Sequence, residues 1–305
     1  MKFNDKGKDV RDMQIALLNN GYELPKYGAD SDFGRETMTA LKAFMEDNSI
    51  HWFNADDEVP QAALDILFNV EESPIPDIPD QHFGDVKLYD LRDEPWEKRI
   101  PQKFKRSGGL PAIRDPKMIT GITVHQTAVP YSVRDYQIHD AGGDEHLALA
   151  RRSLKVACHV MAFRKGFITT PNHLTHYVYH GNGFNSHELG IEIDGNFPGL
   201  IGGKVWNHKR GGKATTITDT LVQAACAGIE YLVRQGRKEG MPITQIHAHR
   251  QSSANRRSDP GEELWRRVVL EYAVPVLGLK TEPDRVLRDG RPIPHEWDLE
   301  GVGSY

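Results

Sequence analysis

The sequence predicts an α/β domain with a central mixed β-sheet flanked by helices, preceded by a small all-α domain of three helices. Beyond residue 117, apolar runs of strand length alternate with helical patterns, which is typical of α/β domains. The first seventy residues repeat apolar side chains only at helical spacing. We therefore expect a helical domain over 1–72, a Pro-rich linker and irregular arm over 73–116, an α/β domain over 117–276 and a tail over 277–305.

Composition and charge exclude several classes of protein. The chain has 305 residues, 38% of them hydrophobic and 27% charged, as in an ordinary soluble protein. No apolar run reaches the length that crosses a bilayer, so we expect no stable membrane insertion. Residues 1–72 carry 7 Lys and Arg against 15 Asp and Glu, and the remainder carries 31 against 28. Neither part has the basic stripe of a nucleic-acid binder, so we expect no nucleic-acid partner.

Two features of the chain bear on where the protein is made. Cys158 and Cys226 are its two cysteines, too few for a disulfide framework. The first residues lack the apolar core of a secretory signal. We expect synthesis in a reducing cytoplasm, with another route to any target outside the membrane. The sequence leaves the oligomeric state open.

Three amphipathic patterns predict the helices of the first domain. Val10, Met13 and Leu17 repeat at helical spacing, and Gly21 is placed to end that helix. The second pattern comprises Thr37, Leu41, Phe44 and Met45. The third begins at Pro60 and presents Ala63, Leu64 and Leu67.

The same segment resembles a known family. Its pattern is Gly7, Val10, Gln14, Leu17, Gly21-Tyr22, Asp30, Phe33-Gly34, Thr37, Ala40 and Phe44. This order and spacing is similar to the peptidoglycan-binding type 1 domain over roughly residues 4–70. The chain departs from that family at Ala29-Asp30-Ser31-Asp32, where Asp-Gly is usual, and at Met45, where Gln often follows. A purely structural helical spacer is the alternative interpretation.

Strand and helix signals organise the second domain. Residues 71–83 are rich in proline and predict an extended linker. Three buried strands are predicted at Ile119–Val124, Val156–Phe163 and Leu189–Ile193. A long amphipathic helix follows with Leu221, Val222, Ala225, Ile229, Leu232 and Val233 on one face. A short run, Ile243–Ile246, then leads into a pair of histidines.

The residues most suggestive of chemistry lie at the ends of these predicted strands. His125 ends an apolar strand, and His247 and His249 precede Asp259 in an Arg-Ser-Asp-Pro-Gly segment. Two imidazoles and one carboxylate make an open tetrahedral zinc site whose fourth position is left for water. In an extended segment His247 and His249 point the same way, so facing alone does not choose between them.

Five motifs, in order, resemble the zinc-dependent N-acetylmuramoyl-L-alanine amidase family, which also includes peptidoglycan recognition proteins. They span about residues 117–272: Thr123-Val124-His125-Gln126-Thr127-Ala128, Ala157-Cys158-His159-Val160 with Lys165-Gly166, Tyr179-His180-Gly181-Asn182 with Asn185, Leu189-Gly190-Ile191-Glu192-Ile193, and His249 with Arg257-Ser258-Asp259-Pro260-Gly261. The resemblance implies the zinc ligands His125, His249 and Asp259. The family's spacing to Asp-Pro-Gly favours His249 over His247.

The resemblance also implies catalytic and substrate-binding residues. Glu192 takes the place of the family's general base, although a surface glutamate on a strand is the alternative. Members that lack this glutamate often carry Tyr before the histidine matched by His159, and here that place is Cys158. Arg257 stands where Lys is common, and a guanidinium that stays charged suits stabilisation of an oxyanion.

Two further residues fall on the family's substrate groove. His180 is expected to contact the sugar or the peptide of the substrate, and a structural hydrogen bond is an equally weighted alternative. Asn185 is placed with it among the substrate-binding residues. His159 is expected to be structural.

The resemblance implies an amidase that cleaves the bond between N-acetylmuramic acid and L-alanine of peptidoglycan with Zn²⁺ as cofactor. With a wall-binding module in front, the expectation is a modular phage endolysin that acts on the bacterial wall after the membrane is breached. A bacterial amidase exported by a dedicated machine would carry the same motifs. A recognition protein that binds peptidoglycan without cutting it is a further alternative, and the presence of all three ligand residues and of Glu192 argues against it. A cytoplasmic amidase of wall recycling is another, and it explains the front module poorly.

Overall fold

The chain contains two compact units, Met1–Asp77 and Ile78–Tyr305. The structure is a computed structural model that describes residues 1–48, 50, 58–68, 86–205 and 212–302. The Pro-rich stretch over 71–83 lies outside the described residues, so its extended conformation stays a prediction. Among the described residues, no helix is both long enough and apolar enough to cross a membrane.

The described part of the first unit has three helices around its own apolar core. They are α1 (Lys8–Asn19), α2 (Arg35–Asp47) and α3 (Gln61–Phe68). Each helix turns its apolar stripe inward, and the buried side chains include Val10, Met13, Leu17, Phe33, Leu41, Phe44, Met45, Ala63 and Leu67. A three-helix arrangement is what the helical spacing of these residues predicts.

A buried amide organises the loop between α1 and α2. Gln14 donates through Nε2 to Asp30 Oδ1 at 2.9 Å and to Thr37 Oγ1 at 2.8 Å. Its Oε1 accepts the backbone N–H of Ser31 at 2.9 Å. Both polar atoms of this buried side chain are therefore hydrogen-bonded, and they link α1 to the loop that departs from the family pattern.

The second unit is built on a six-stranded mixed sheet. Its strands are β1 (Lys87–Asp90), β4 (Gly121–Gln126), β5 (Val160–Phe163), β6 (Phe167–Thr170), β7 (Glu188–Ile193) and β8 (Gln245–Ala248), in the spatial order β1-β6-β5-β7-β4-β8. A separate hairpin pairs β2 (Arg106–Ser107) with β3 (Leu110–Pro111). Of the described pairings in the large sheet, only that of β5 with β6 is antiparallel, because a tight turn joins them, and the others are parallel.

The two faces of the sheet differ in chemistry. Alternate residues of β4, β7 and β8 point to one face and pack with the long helix α6 (Asp219–Lys238) in the main core. The residues between them in these strands point to the other face of the sheet, and they include the polar side chains Thr123, His125, Glu188, Glu192 and His247. The central strands are therefore apolar toward α6 and carry the ionisable residues on their other side.

Shorter helices complete this unit. They are α4 (Asp135–Asp140), α5 (Glu145–Arg152), α7 (Glu262–Leu264) and α8 (Val274–Leu277), with a π-helical stretch at Trp265–Ala273 between the last two. The stretch from α7 to α8 packs beside α6, and its Trp265, Val268, Val269 and Leu270 are buried in the main core. The core on this side of the sheet is therefore closed by helices, as the α/β pattern predicts.

The prediction of an irregular arm over 73–116 is wrong for Lys87–Asp90. This segment forms β1, which pairs parallel with β6 at the edge of the sheet. Of its four residues only Tyr89 is buried, so the sequence lacks the alternation of a half-buried strand. Its partner strand begins at Phe167, far along the chain, and local patterns do not report such pairing.

The C-terminal tail packs onto the second unit. Trp297 is buried, its ring lies 6.3 Å from that of Trp265, and its Nε1 donates to the carbonyl of Gly199 at 2.6 Å. Leu287 N donates to the carbonyl of Gln251 at 2.8 Å, and Gln251 Nε2 donates to the carbonyl of Glu282 at 2.7 Å. The tail is thus tied both to the core and to the segment that follows β8.

We predict that Trp297→Ala lowers the free energy of unfolding by about 3–5 kcal/mol, because it opens a cavity beneath the tail and removes a buried indole. Urea unfolding of the full chain, followed by circular dichroism, measures the change. Leu299→Ala is the matched control in the same tail, since Leu299 is 69% exposed and its loss should shift stability by less than about 0.5 kcal/mol. Equal effects of the two substitutions would show that burial of Trp297 does not contribute to the stability of the fold.

Candidate metal centre

The polar site lies where parallel strands end. In the register of β4 and β7, His125 stands opposite Glu192. In the register of β4 and β8, Val124 stands opposite Ala248, so His249 follows directly at the end of its strand. Because the carboxyl ends of parallel strands meet at one edge of the sheet, these registers bring two histidines and a glutamate together.

Three potential ligand atoms converge at this edge. His125 Nδ1 lies 2.8 Å from His249 Nδ1, and His249 Nδ1 lies 3.0 Å from Asp259 Oδ2. One ligand atom from each of the three residues lies within 4.8 Å of the others, and all three residues are buried. Among the described residues, this is the one group of His, Cys, Asp and Glu with metal-binding geometry.

The Asp259 carboxylate is held from the neighbouring strand. The backbone N–H of Gln126 donates to Asp259 Oδ1 at 2.8 Å. The side chain of Gln126 donates to the carbonyls of Ser258 at 2.6 Å and Pro260 at 3.0 Å, on either side of the aspartate. The peptide bond between Asp259 and Pro260 is cis. One carboxylate oxygen is therefore used in positioning, which leaves Oδ2 to face the histidines.

The chemistry of these atoms suits a zinc ion. Two imidazole nitrogens at 2.8 Å repel each other unless a proton or a cation lies between them. Burial, with His249 and His180 adding to it, holds the pKa of His125 well below its usual value, so this imidazole is neutral. Neutral imidazoles and a carboxylate are ligands that zinc prefers, and three of them leave one position open. The residues present therefore fit a catalytic type of zinc site.

Glu192 lies beside these ligands on the adjacent strand. Burial raises the pKa of its carboxyl to about 8, the negative charge of Asp259 adds to the rise, and the charges of Arg256 and Lys103 oppose it. Its Oε2 is buried and has no hydrogen-bond partner among the described residues. An unpaired buried carboxylate oxygen is costly in a protein that does not use it, which marks Glu192 as a functional candidate.

Arg256 is an arginine whose charge acts on a ligand candidate and on Glu192. Its positive charge lowers the pKa of both Glu192 and His125. Arg257, which the family spacing selects, is exposed, and its carbonyl accepts a hydrogen bond from Arg250. Sequence spacing alone does not separate two adjacent arginines. The direction of each side chain depends on the turn of Ala254–Arg256, which the sequence does not reveal.

His180 and Asn185 are buried, and the structure engages their polar atoms within the protein. His180 Nδ1 lies 3.1 Å from His125 Nε2, and His180 Nε2 lies 3.1 Å from the carbonyl of Glu188. Asn185 Oδ1 accepts the backbone N–H of Gly181 at 2.7 Å. These hydrogen bonds fit the structural alternative for His180. Contact of His180 or Asn185 with substrate stays a prediction.

The remaining two histidines of interest lie away from the ligand atoms. His247 Nδ1 hydrogen-bonds Glu188 Oε1 at 2.7 Å, its Nε2 lies 3.1 Å from Glu282 Oε2, and its ring stacks on Phe184. It thus faces the buried Glu188 while His249 faces His125. His159 Nδ1 accepts the backbone N–H of Gly190 at 2.9 Å, which is the structural role expected for it.

The residues of the candidate site lie within a segment that matches a known protein family. Residues 115–262 match the family model described as N-acetylmuramoyl-L-alanine amidase, Amidase_2. The match covers just under half of the chain. The metal-ligand candidates and Glu192 all lie inside the matched range.

Several solved structures resemble the chain at low identity. The endolysin N-acetylmuramoyl-L-alanine amidase LysCS from Clostridium intestinale URNW is 16% identical over 59% of this chain and 94% of that chain, with a TM-score of 0.35. Bumblebee PGRP-SA is 15% identical over 60% and 93%, with a TM-score of 0.35. The Ph2119 endolysin from Thermus scotoductus MAT2119 bacteriophage Ph2119 is 17% identical over 59% and 98%, with a TM-score of 0.34. No curated protein sequence matches the chain.

We predict that Asp259→Ala removes the stabilisation that zinc gives to the protein. A ligand that binds only the folded state stabilises it by about 2.7 kcal/mol at 100 times its Kd. Thermal unfolding of the metal-free protein with and without added zinc measures this shift. Asp289→Ala, which removes an exposed carboxylate of the tail, should keep the full shift. A zinc shift retained in Asp259→Ala would remove this residue from the metal site.

Proposed function

We propose that this chain is a zinc-dependent N-acetylmuramoyl-L-alanine amidase. The observation that carries the proposal is the convergence of His125, His249 and Asp259 beside an unpaired Glu192 oxygen. Zinc bound there supplies Lewis acidity, which activates water and polarises a carbonyl near neutral pH. The bond to be cleaved is the amide between the lactyl group of muramic acid and the first L-alanine of the stem peptide.

Glu192 serves as the general base and then as the general acid. It accepts a proton from the attacking water at its free Oε2, and the water oxygen bonds to the amide carbon. Glu192 then delivers that proton to the amide nitrogen as the carbon–nitrogen bond breaks. The products are a lactyl carboxylate on the glycan and a stem peptide with a free alanine amine. A carboxyl whose pKa burial raises suits both halves of this cycle.

A guanidinium stabilises the negative charge that develops on the carbonyl oxygen. Family spacing favours Arg257 for this role, whereas the charge that acts on Glu192 and His125 is that of Arg256. We therefore assign the role to Arg256. Because a guanidinium keeps its proton, it contributes charge and hydrogen bonds and takes no part in proton transfer.

Two features support catalysis over recognition alone. A protein that only binds peptidoglycan has no use for a complete set of metal ligands or for a glutamate with an unpaired buried oxygen. Both are present in this chain. A recycling amidase that acts on soluble fragments would share this site, but it has no need for a separate unit that tethers it to the wall.

The helical unit supports the modular interpretation. It has a core of its own, and we propose that residues 1–72 bind peptidoglycan and raise the local concentration of the amidase at the wall. A phage endolysin that reaches the wall after membrane breach is the setting that best combines these parts. Pelleting of the full chain with intact sacculi, compared with a chain that lacks residues 1–72, measures the tethering, and equal pelleting would reject it.

We predict that the purified protein releases new alanine amino termini from peptidoglycan sacculi and no new reducing ends. A chelator should abolish the release, and added zinc should restore it, because the ligands hold the ion that activates water. Amino-terminal labelling and a reducing-sugar assay on the same digest measure the two products. Reducing ends without alanine termini would redirect the function to a glycosidase.

Glu192→Gln is the matched variant for this assay. It keeps the shape of the side chain and removes the base, so the rate should fall by about 10²–10⁴-fold. Zinc should bind with unchanged affinity, because Glu192 is not a ligand. An unchanged rate in this variant would remove Glu192 from the mechanism, whatever the metal does.

We predict different effects for the two neighbouring arginines. Arg256→Gln should lower kcat by about 10²–10³-fold, because it removes charge stabilisation of the transition state. Arg257→Gln, made at the exposed neighbour, should change kcat by less than a factor of about 3. Steady-state kinetics on soluble muropeptides compares them. The reverse order of effects would return the oxyanion role to Arg257.

A further inference from the structure

His180 connects the metal ligands to the backbone of β7. Its ring lies edge-on to that of His125, with centroids 5.3 Å apart, and it is 6% exposed. One nitrogen, Nδ1, is 3.1 Å from His125 Nε2, and the other, Nε2, is 3.1 Å from the carbonyl oxygen of Glu188. The three groups thus form a continuous chain from a backbone carbonyl to a ligand imidazole.

The direction of each hydrogen bond in this chain follows from its fixed end. A carbonyl oxygen only accepts, so His180 Nε2 must carry the hydrogen that it donates to Glu188. Neither nitrogen of His180 hydrogen-bonds a carboxylate among the described residues, and a buried imidazole without such a partner is neutral. His180 Nδ1 therefore has a lone pair and accepts from His125. The proton of His125 must then reside on Nε2.

We propose that His180 is a positioning residue that fixes the tautomer of His125, so that the Nδ1 lone pair of His125 faces the metal. The inference rests on zinc binding, which is part of the proposed function, and does not depend on which bond is cleaved. Metal-ligating histidines commonly donate their second N–H to a carboxylate, a carbonyl or water. Here the His180 imidazole accepts that N–H of His125. Because His180 donates to the backbone carbonyl of Glu188, its other nitrogen is left as the acceptor.

The fold makes specific room for this imidazole. A Cβ placed on Gly190 would lie 2.6 Å from His180 Cγ and 2.8 Å from its Nδ1. Only glycine at position 190 therefore lets the His180 ring lie flat against β7. Gly190 is also hydrogen-bonded to His159, whose Nδ1 accepts its N–H. The strand that supplies Glu192, β7, thus also sets the position of His180.

Variants of His180 test the proposal through zinc affinity, measured on the full chain by competition with a fluorescent zinc chelator. His180→Leu removes the acceptor and should weaken zinc binding by about 10–100-fold. His180→Asn places Oδ1 near the position of the ring Nδ1, so it can still accept from His125 and should recover most of the affinity. His176→Leu is the control, since that half-buried imidazole does not contact the ligands, and it should bind zinc as the unaltered chain does.

A second readout does not depend on any variant. Long-range ¹H–¹⁵N correlation spectra of the unaltered protein, with and without zinc, should show the proton of His125 on Nε2 in both states. A proton on Nδ1 of His125 in the metal-free protein, or unchanged zinc affinity in His180→Leu, would overturn the proposed role of His180. If the unaltered protein bound no zinc, the proposed function would fail together with the role of His180. If it bound zinc but gave either of these two results, only the role of His180 would fail.

Discussion

The site depends on three ligand atoms that must meet at one point although they come from distant parts of the chain. His125 lies in β4, His249 follows β8, and Asp259 lies ten residues beyond His249. Sheet register sets the first two, because β4 and β8 pair parallel with Val124 opposite Ala248. Gln126 sets the third through the hydrogen bonds that surround Asp259. The proposed catalysis by Glu192 and the proposed binding of a metal both depend on this convergence.

The tail of the chain supports the same convergence from outside. Arg250, next to His249, donates its backbone N–H to the carbonyl of Asp259 at 3.1 Å and its Nε to the carbonyl of Pro292 at 2.8 Å. Its guanidinium lies 5.0 Å from the ring centroid of Trp297. A Cβ on Gly290 would lie 1.9 Å from the carbonyl oxygen of Gln251, which shows how closely the tail approaches this segment. Residues beyond the matched range 115–262 therefore contribute to a site that lies inside it.

Much of this arrangement was accessible from the sequence, and the failures have physical causes. The helix over Asp219–Lys238 and the strands around His125 and Glu192 follow from apolar periodicity, which is a local property. The pairing of Lys87–Asp90 with β6 is non-local and has no local signature. The proposed preference for Arg256 over Arg257, and the hydrogen bonds of His180 within the site, depend on side-chain directions that spacing does not encode.

We propose above all that one zinc ion binds between His125, His249 and Asp259. Crystals of the full chain grown with zinc, with diffraction recorded above and below the zinc absorption edge, test it most directly. We expect one anomalous peak per chain, about 2.0–2.2 Å from His125 Nδ1, His249 Nδ1 and Asp259 Oδ2. A fully folded protein with no peak there, or with its zinc bound at different side chains, would contradict it.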